Sequence, residues 1–312
     1  MVKKLILMGF MLIILAISLF SFYQNVPQEP VKMKANEVVP EVVTIIDYGL
    51  TPIFDENLRF NHNNISYFIE KECMKVRRNA MIEAFDIFSE KMNLISFYEI
   101  ESENEADIQI GCSDDYVELG EKLFVAGEGG PSIIINTSIF KTIKEGKILL
   151  YNDPQCDYPI VELHELLHVF GFDHSKDPKN IMYNVSSCDQ EISSDVIELI
   201  NKLYSIEPLA DATMGNLTAT KRGKYLDFNI SVLNEGLMEI KNISLTIVVK
   251  GKELQIFDLG FIDIGYGRTL RVTNIRLPSS NVEKVDFIID NENNTREINE
   301  DNNFIEMVVE SQ

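Results

Sequence analysis

His164-Glu165-Leu166-Leu167-His168-Val169-Phe170-Gly171-Phe172-Asp173-His174 holds three of the four histidines in a chain of 312 residues. An i, i+4 pair lies on one face of a helix, so His164 and His168 can present their imidazoles to one ion. His174 cannot reach that ion by continuing the helix. Gly171, with no Cβ, can adopt the left-handed conformation that ends a helix and turns the chain back. Three histidine nitrogens suit a single Zn²⁺ and leave a fourth position for water. Glu165, beside the first ligand, is placed next to that position as a general base, which is the chemistry of peptide-bond hydrolysis. His62, in Arg59-Phe60-Asn61-His62-Asn63-Asn64, has no ligand-type neighbours at metal spacing and reads as an exposed loop histidine.

Working outward, residues 159–170 form a helix that is apolar nearly all round and therefore buried. Apolar residues at helical spacing predict further helices over 73–93 and 195–204. Between the first two helices, alternating segments at 95–100, 106–110, 132–136 and 147–151 predict strands of one sheet, with Gly127-Glu128-Gly129-Gly130-Pro131 as turn chemistry. Beyond Glu207-Pro208 helical spacing ceases. Segments at 225–232, 243–249, 269–273 and 285–289 alternate with turns, the pattern of an all-β sandwich. The fold class is thus an α+β domain, a twisted mixed sheet with three helices, over 42–206, followed by a β-sandwich over 207–312.

The chain ends and the charge narrow the setting. Lys3 and Lys4 precede an uncharged run over residues 5–23, a signal anchor or a signal peptide cleaved near Ala16-Ile17-Ser18. Residues 24–41, with Pro27, Pro30 and Pro40 among polar neighbours, read as a stalk. An exported protein follows, membrane-anchored at the cell surface or secreted. Sequons at Asn64, Asn136, Asn184, Asn216, Asn229, Asn242 and Asn293 agree with that destination. So do Cys73, Cys112, Cys156 and Cys188, an even set without a C-x-x-C pair. Of three connectivities, Cys73–Cys112 and Cys156–Cys188 are favoured because each braces one region, the second enclosing all three histidines. A net charge of −21 argues against nucleic acid as a partner.

The histidine segment resembles the metzincin clan of zinc metallopeptidases and, through Ser175 after the third histidine and Pro178 and Met182 beyond it, the matrixins. Residues 192–204 are similar to that family's closing helix. The resemblance implies a zinc endopeptidase acting on a protein or peptide substrate. His164, His168 and His174 would be its ligands, Glu165 its base, and Met182 a hydrophobic floor that binds nothing. Asn184 stands where matrixins usually have Pro, no cysteine precedes Cys73 to serve as a thiol switch, and the loops of a second zinc are missing. Calcium through Asp114 and Asp115 competes with a solvated acidic face. Val232-Leu233-Asn234-Glu235-Gly236, with Asp290 through Asn303, resembles a CARDB-type, immunoglobulin-like module, which implies a cell-surface partner. The readings left open beside a peptidase are an inert peptidase-like adhesion protein and a zinc amidase acting on cell-wall peptide.

Overall fold

Two compact units make up the computed structural model, Val42–Ala210 with Glu235–Met238, and Met1–Glu41 with Asp211–Asn234 and Glu239–Gln312. It describes residues 11–18, 20, 29–36, 50–114, 118–120, 123–151 and 154–310. Residues 11–18 are helical, and no helix of the described residues is long and apolar enough to cross a membrane. The greater part of segment 1–23 lies outside the described residues, as does Asp115. Residues 24–41, expected to be a stalk, contain strand β1 (Val31–Asn36), which belongs to the second unit.

In the first unit the chain runs β2 (Leu58–Phe60), β3 (Asn64–Ile69), α1 (Lys75–Met92), β4 (Ser96–Glu99) and β5 (Ile108–Cys112). A hairpin of β6 (Glu118–Gly120) and β7 (Leu123–Phe124) leads to β8 (Gly127–Asn136), β9 (Lys141–Leu150), α2 (Ile160–Val169) and α3 (Ser194–Tyr204). Strands β2, β9, β5, β3 and β4 are parallel, and β8 runs antiparallel along β9 at the edge. Helix α1 ends where Asn93 takes a left-handed φ of 39°, a conformation asparagine tolerates. Phe170, immediately after α2, is the hub of the aromatic core. Its ring lies 4.8 Å from Phe88 of α1, 5.7 Å from Phe60 of β2 and 6.0 Å from Tyr204 of α3. Burying a ring of this size contributes roughly 2–3 kcal/mol, and here it fixes the end of α2 against three elements.

Strands β2 and β3 were not expected, because Asn61-His62-Asn63-Asn64 separates them with loop-type residues. The Gly127–Pro131 segment is not a turn but the first half of β8, paired from Gly127 opposite Leu150 to Pro131 opposite Gly146. Its glycines serve close approach. A Cβ on Gly129 would lie 2.2 Å from the Glu165 carbonyl oxygen, and one on Gly127 would lie 2.7 Å from Glu165 Cγ. Cys73 pairs with Cys112 and Cys156 with Cys188, at Cα separations of 5.2 and 5.4 Å.

The second unit adds β10 (Ala212–Arg222), β11 (Tyr225–Asn234), β12 (Ile240–Val249), β13 (Lys252–Ile262), β14 (Gly267–Arg276), β15 (Lys284–Ile289) and β16 (Phe304–Val309). With β1 between β16 and β10, these strands form one antiparallel path, β13-β12-β15-β16-β1-β10-β11-β14. The path folds over on itself, so Phe228 of β11 packs 5.8 Å from Phe257 of β13 and 5.1 Å from Phe287 of β15. Alternation decides the register of β11, which buries Leu226, Phe228, Ile230 and Val232. Lys250 and Gly251, both at positive φ, form the tight turn between β12 and β13.

Candidate metal centre

Helix α2 carries His164 and His168 one turn apart, and its end is built to deliver the third histidine. The Gly171 N–H donates to the His168 carbonyl at 3.0 Å and the Phe172 N–H to the Leu167 carbonyl at 3.2 Å, while Gly171 sits at φ 93°. These two bonds are the pair that closes a helix through a left-handed glycine. A side chain at 171 would be strained and would also meet Leu58 Cδ2 at 2.8 Å. The returning chain is held by bonds from Phe54 N to the Gly171 carbonyl and from Asp173 N to the Pro52 carbonyl. The ligand atoms of His164, His168 and His174 then lie within 4.8 Å of one another.

The tautomers follow from the partners. His164 Nδ1 lies 2.7 Å from the Ile181 carbonyl and His168 Nδ1 2.7 Å from the Phe172 carbonyl. A carbonyl only accepts, so both Nδ1 atoms carry the proton and both Nε2 atoms present lone pairs. Those Nε2 atoms face each other at 3.0 Å. Two acceptors so close need a shared cation, and tetrahedral zinc separates ligand nitrogens by about 3.3 Å. Burial first, then the neighbouring histidines, pushes His164 down to about 4 despite the Ile181 bond, so the ring is neutral and free to ligate. This three-nitrogen donor set fits zinc.

Met182 is fully buried in the turn that follows. Its N–H donates to Asn180 Oδ1 and its carbonyl accepts from the N–H of Ser175, the residue after His174. With Ile181 bonded to His164, this turn braces two of the three histidines from beneath. Asn184 lines the adjoining cleft of about 1120 Å³, together with Val185, Tyr158 and Gln155. Glu165 lines it too and is 6% exposed. Burial, then Glu128 and Glu162, raises its carboxyl to about 8. A carboxyl in that range holds or releases a proton near neutrality.

Sequence reasoning missed three residues. Glu162, 2% exposed, underlies the same cleft, its carboxyl raised by burial and then by Glu83. Arg59, fully buried, donates to the carbonyls of Phe60, Leu203 and Ile206 and stacks 4.5 Å over the Tyr204 ring. Asp107 binds His62, which is thus a half-buried partner rather than a free loop histidine. Asp114, considered for calcium, instead pairs with Arg77 at 2.9 Å.

Residues 59–205 match the family described as Matrixin, and residues 213–307 that described as CARDB. Over 183 residues the chain is 28% identical to stromelysin-2 of Rattus norvegicus, an alignment covering 54% of this chain and 37% of that protein. The chain therefore spans little more than a third of that relative's length. Among solved structures, a Pyrococcus furiosus CARDB domain in complex with di-metal ions aligns at 16% identity and a TM-score of 0.27, over 32% of this chain and 88% of that one. A solution structure of that domain aligns at 17% identity and a TM-score of 0.28, over 32% and 94%.

Proposed function

The chain carries a matrixin domain followed by a CARDB domain, and on that footing we propose that it is an extracellular zinc-dependent endopeptidase. The observation that carries the reading is the meeting of His164, His168 and His174, the first two with their Nε2 atoms facing each other, beside a buried Glu165 in a cleft of about 1120 Å³. A zinc ion held by His164, His168 and His174 would supply Lewis-acid polarisation of a carbonyl and would acidify water. Glu165 accepts a proton from the attacking water as the new C–O bond forms. It then delivers that proton to the amide nitrogen as the C–N bond breaks, and is returned to its starting state. Strand β8, an edge strand beside α2, has free backbone groups along which an extended substrate can be aligned.

Two disulfides belong to an oxidising compartment, which supports a place outside the cell. We assign residues 1–23 the role of anchor or export signal, and the C-terminal unit that of contact with a cell-surface partner. The purified chain should cleave casein, lose that activity to a zinc chelator and regain it on zinc addition. Zinc-loaded protein with no chelator-sensitive cleavage of casein or of a peptide library would contradict the assignment.

A further inference from the structure

One carboxyl of the cleft has no part in the proposed proton transfer. Glu162 lies three residues before Glu165 on α2, so the two side chains are neighbours on one face of the helix. It borders the same cleft and is 2% exposed. Its Oε2 is buried and has no hydrogen-bond partner among the described residues. Buried acceptors are nearly always paired, so an open one at a binding cleft asks for a donor brought in from outside.

The protein's own cation at the cleft is engaged elsewhere. Arg77 is the one lysine or arginine among the described residues that border the cleft, and it donates to the Ser113 carbonyl at 3.0 Å and to Asp114 at 2.9 Å. The walls are largely apolar, with Val125, Tyr158, Ile160, Val161 and Val185 lining the cleft together with Glu162. Apolar walls and a buried carboxyl suit a side chain with an aliphatic stem and a cationic head, which means lysine or arginine. Glu128, exposed on β8, brings a further carboxylate to the cleft, and the Glu165 carboxyl feels the charges of both Glu128 and Glu162. The net charge of −21 steers cationic peptides in the same sense.

Building on the endopeptidase reading, we propose that the cleft selects peptides carrying arginine or lysine beside the bond to be cut, the cationic head being received by Glu162. The bond gained is charge-assisted and made out of water, so it discriminates against a neutral side chain of the same shape. Glu162 binds that side chain and not the reacting atoms. Its loss therefore falls on the choice of substrate, and the three histidines keep their metal.

The test uses the zinc-loaded full chain and two alanine-based peptides, one with a central arginine and one with citrulline, its uncharged near-isostere, in that place. The arginine peptide should be cleaved with a kcat/KM at least tenfold higher. Calorimetry on the Glu165→Gln chain should show binding that differs by a similar factor. Glu162→Gln should remove most of the ratio and retain zinc, and Glu162→Asp, which withdraws the charge by one methylene, should lower it in part and serves should the first variant fail to fold. Chelator-sensitive cleavage of both peptides at equal rates, or a preference that the Glu162 variants leave intact, would overturn the inference and leave the endopeptidase reading standing. No cleavage together with the tenfold difference in binding would support the subsite and overturn only the peptidase reading. No cleavage with equal binding would overturn both.

Discussion

The two units bury polar groups in opposite ways. In the matrixin unit, the Arg59 guanidinium and the Nδ1 atoms of His164 and His168 each meet a backbone carbonyl aimed at them. In the CARDB unit, one buried oxygen each of Glu297, Asn302 and Asn303 has no hydrogen-bond partner. Satisfied groups of the first kind hold a shape that already exists, which a catalytic site requires. Unsatisfied oxygens of the second kind cost about 1–3 kcal/mol each, which the packing around them must offset. The rings of His164 and His168 combine the two: Nδ1 meets a protein carbonyl, and Nε2 is left for a metal ion.

The comparison breaks first at the disulfide that encloses the site. Replacing Cys156 and Cys188 with Ser removes a closure of sequence separation 32, worth about 3–4 kcal/mol in the chain-entropy account. Denaturant unfolding should show a loss of that size, with the C-terminal unit little affected. Arg59→Met should cost about 3 kcal/mol in the same measurement, because the carbonyls of Leu203 and Ile206 and the Asn63 side chain lose their donor. If both variants melt like the parent, satisfaction of buried groups is not what holds the first unit.

A finer test lies in the glycines of β8. Gly129→Ala places a Cβ against the backbone of Glu165, so strand and helix must part, at about 1–3 kcal/mol. Turnover should fall at least tenfold by the misplacement argument, with zinc content unchanged. Gly130→Ala meets nothing within 4 Å and should behave as the parent. Equal effects of the two would show that the close approach is unimportant.

The smallest effect expected is at Asp107. Burial would raise its carboxyl, but hydrogen bonds from His62 and Ser66 outweigh burial and the net shift is downward. A carboxylate depressed in the folded state stabilises above its unfolded value and loses that contribution as pH falls through the folded one. Asp107→Asn should therefore cost about 1 kcal/mol at pH 7, and progressively less as pH falls below the ordinary Asp value of about 3.9, when stability is followed against pH. The Ser66 N–H and hydroxyl bonds, at 2.7 and 2.6 Å, carry most of this, since His62 is half exposed.

What could be read from sequence divides along local and non-local lines. The histidine segment, the left-handed Gly171 and the three helices announce themselves within a few residues, because each depends on spacing alone. Strand β1 does not, since Met33 pairs with Ala219 and Val309, far along the chain. The glycines of β8 suggest a turn in isolation and reveal their purpose only once Glu165 is found behind them. Arg59 leaves no signature because its acceptors are backbone carbonyls, which every sequence has. Glu297 sits in a polar, Asn-rich segment that resembles any solvated loop, and only the sheet topology carries it to Ala212.

The central claim is that Glu165 moves the proton while the three histidines hold the metal. Glu165→Gln, compared with the parent for zinc stoichiometry and for the rate of casein cleavage, tests it most directly. One zinc per chain should be retained and the rate should fall by about 10²–10⁴, whereas His168→Ala should lose metal and activity together. A Glu165→Gln protein that keeps near-normal turnover would contradict the account.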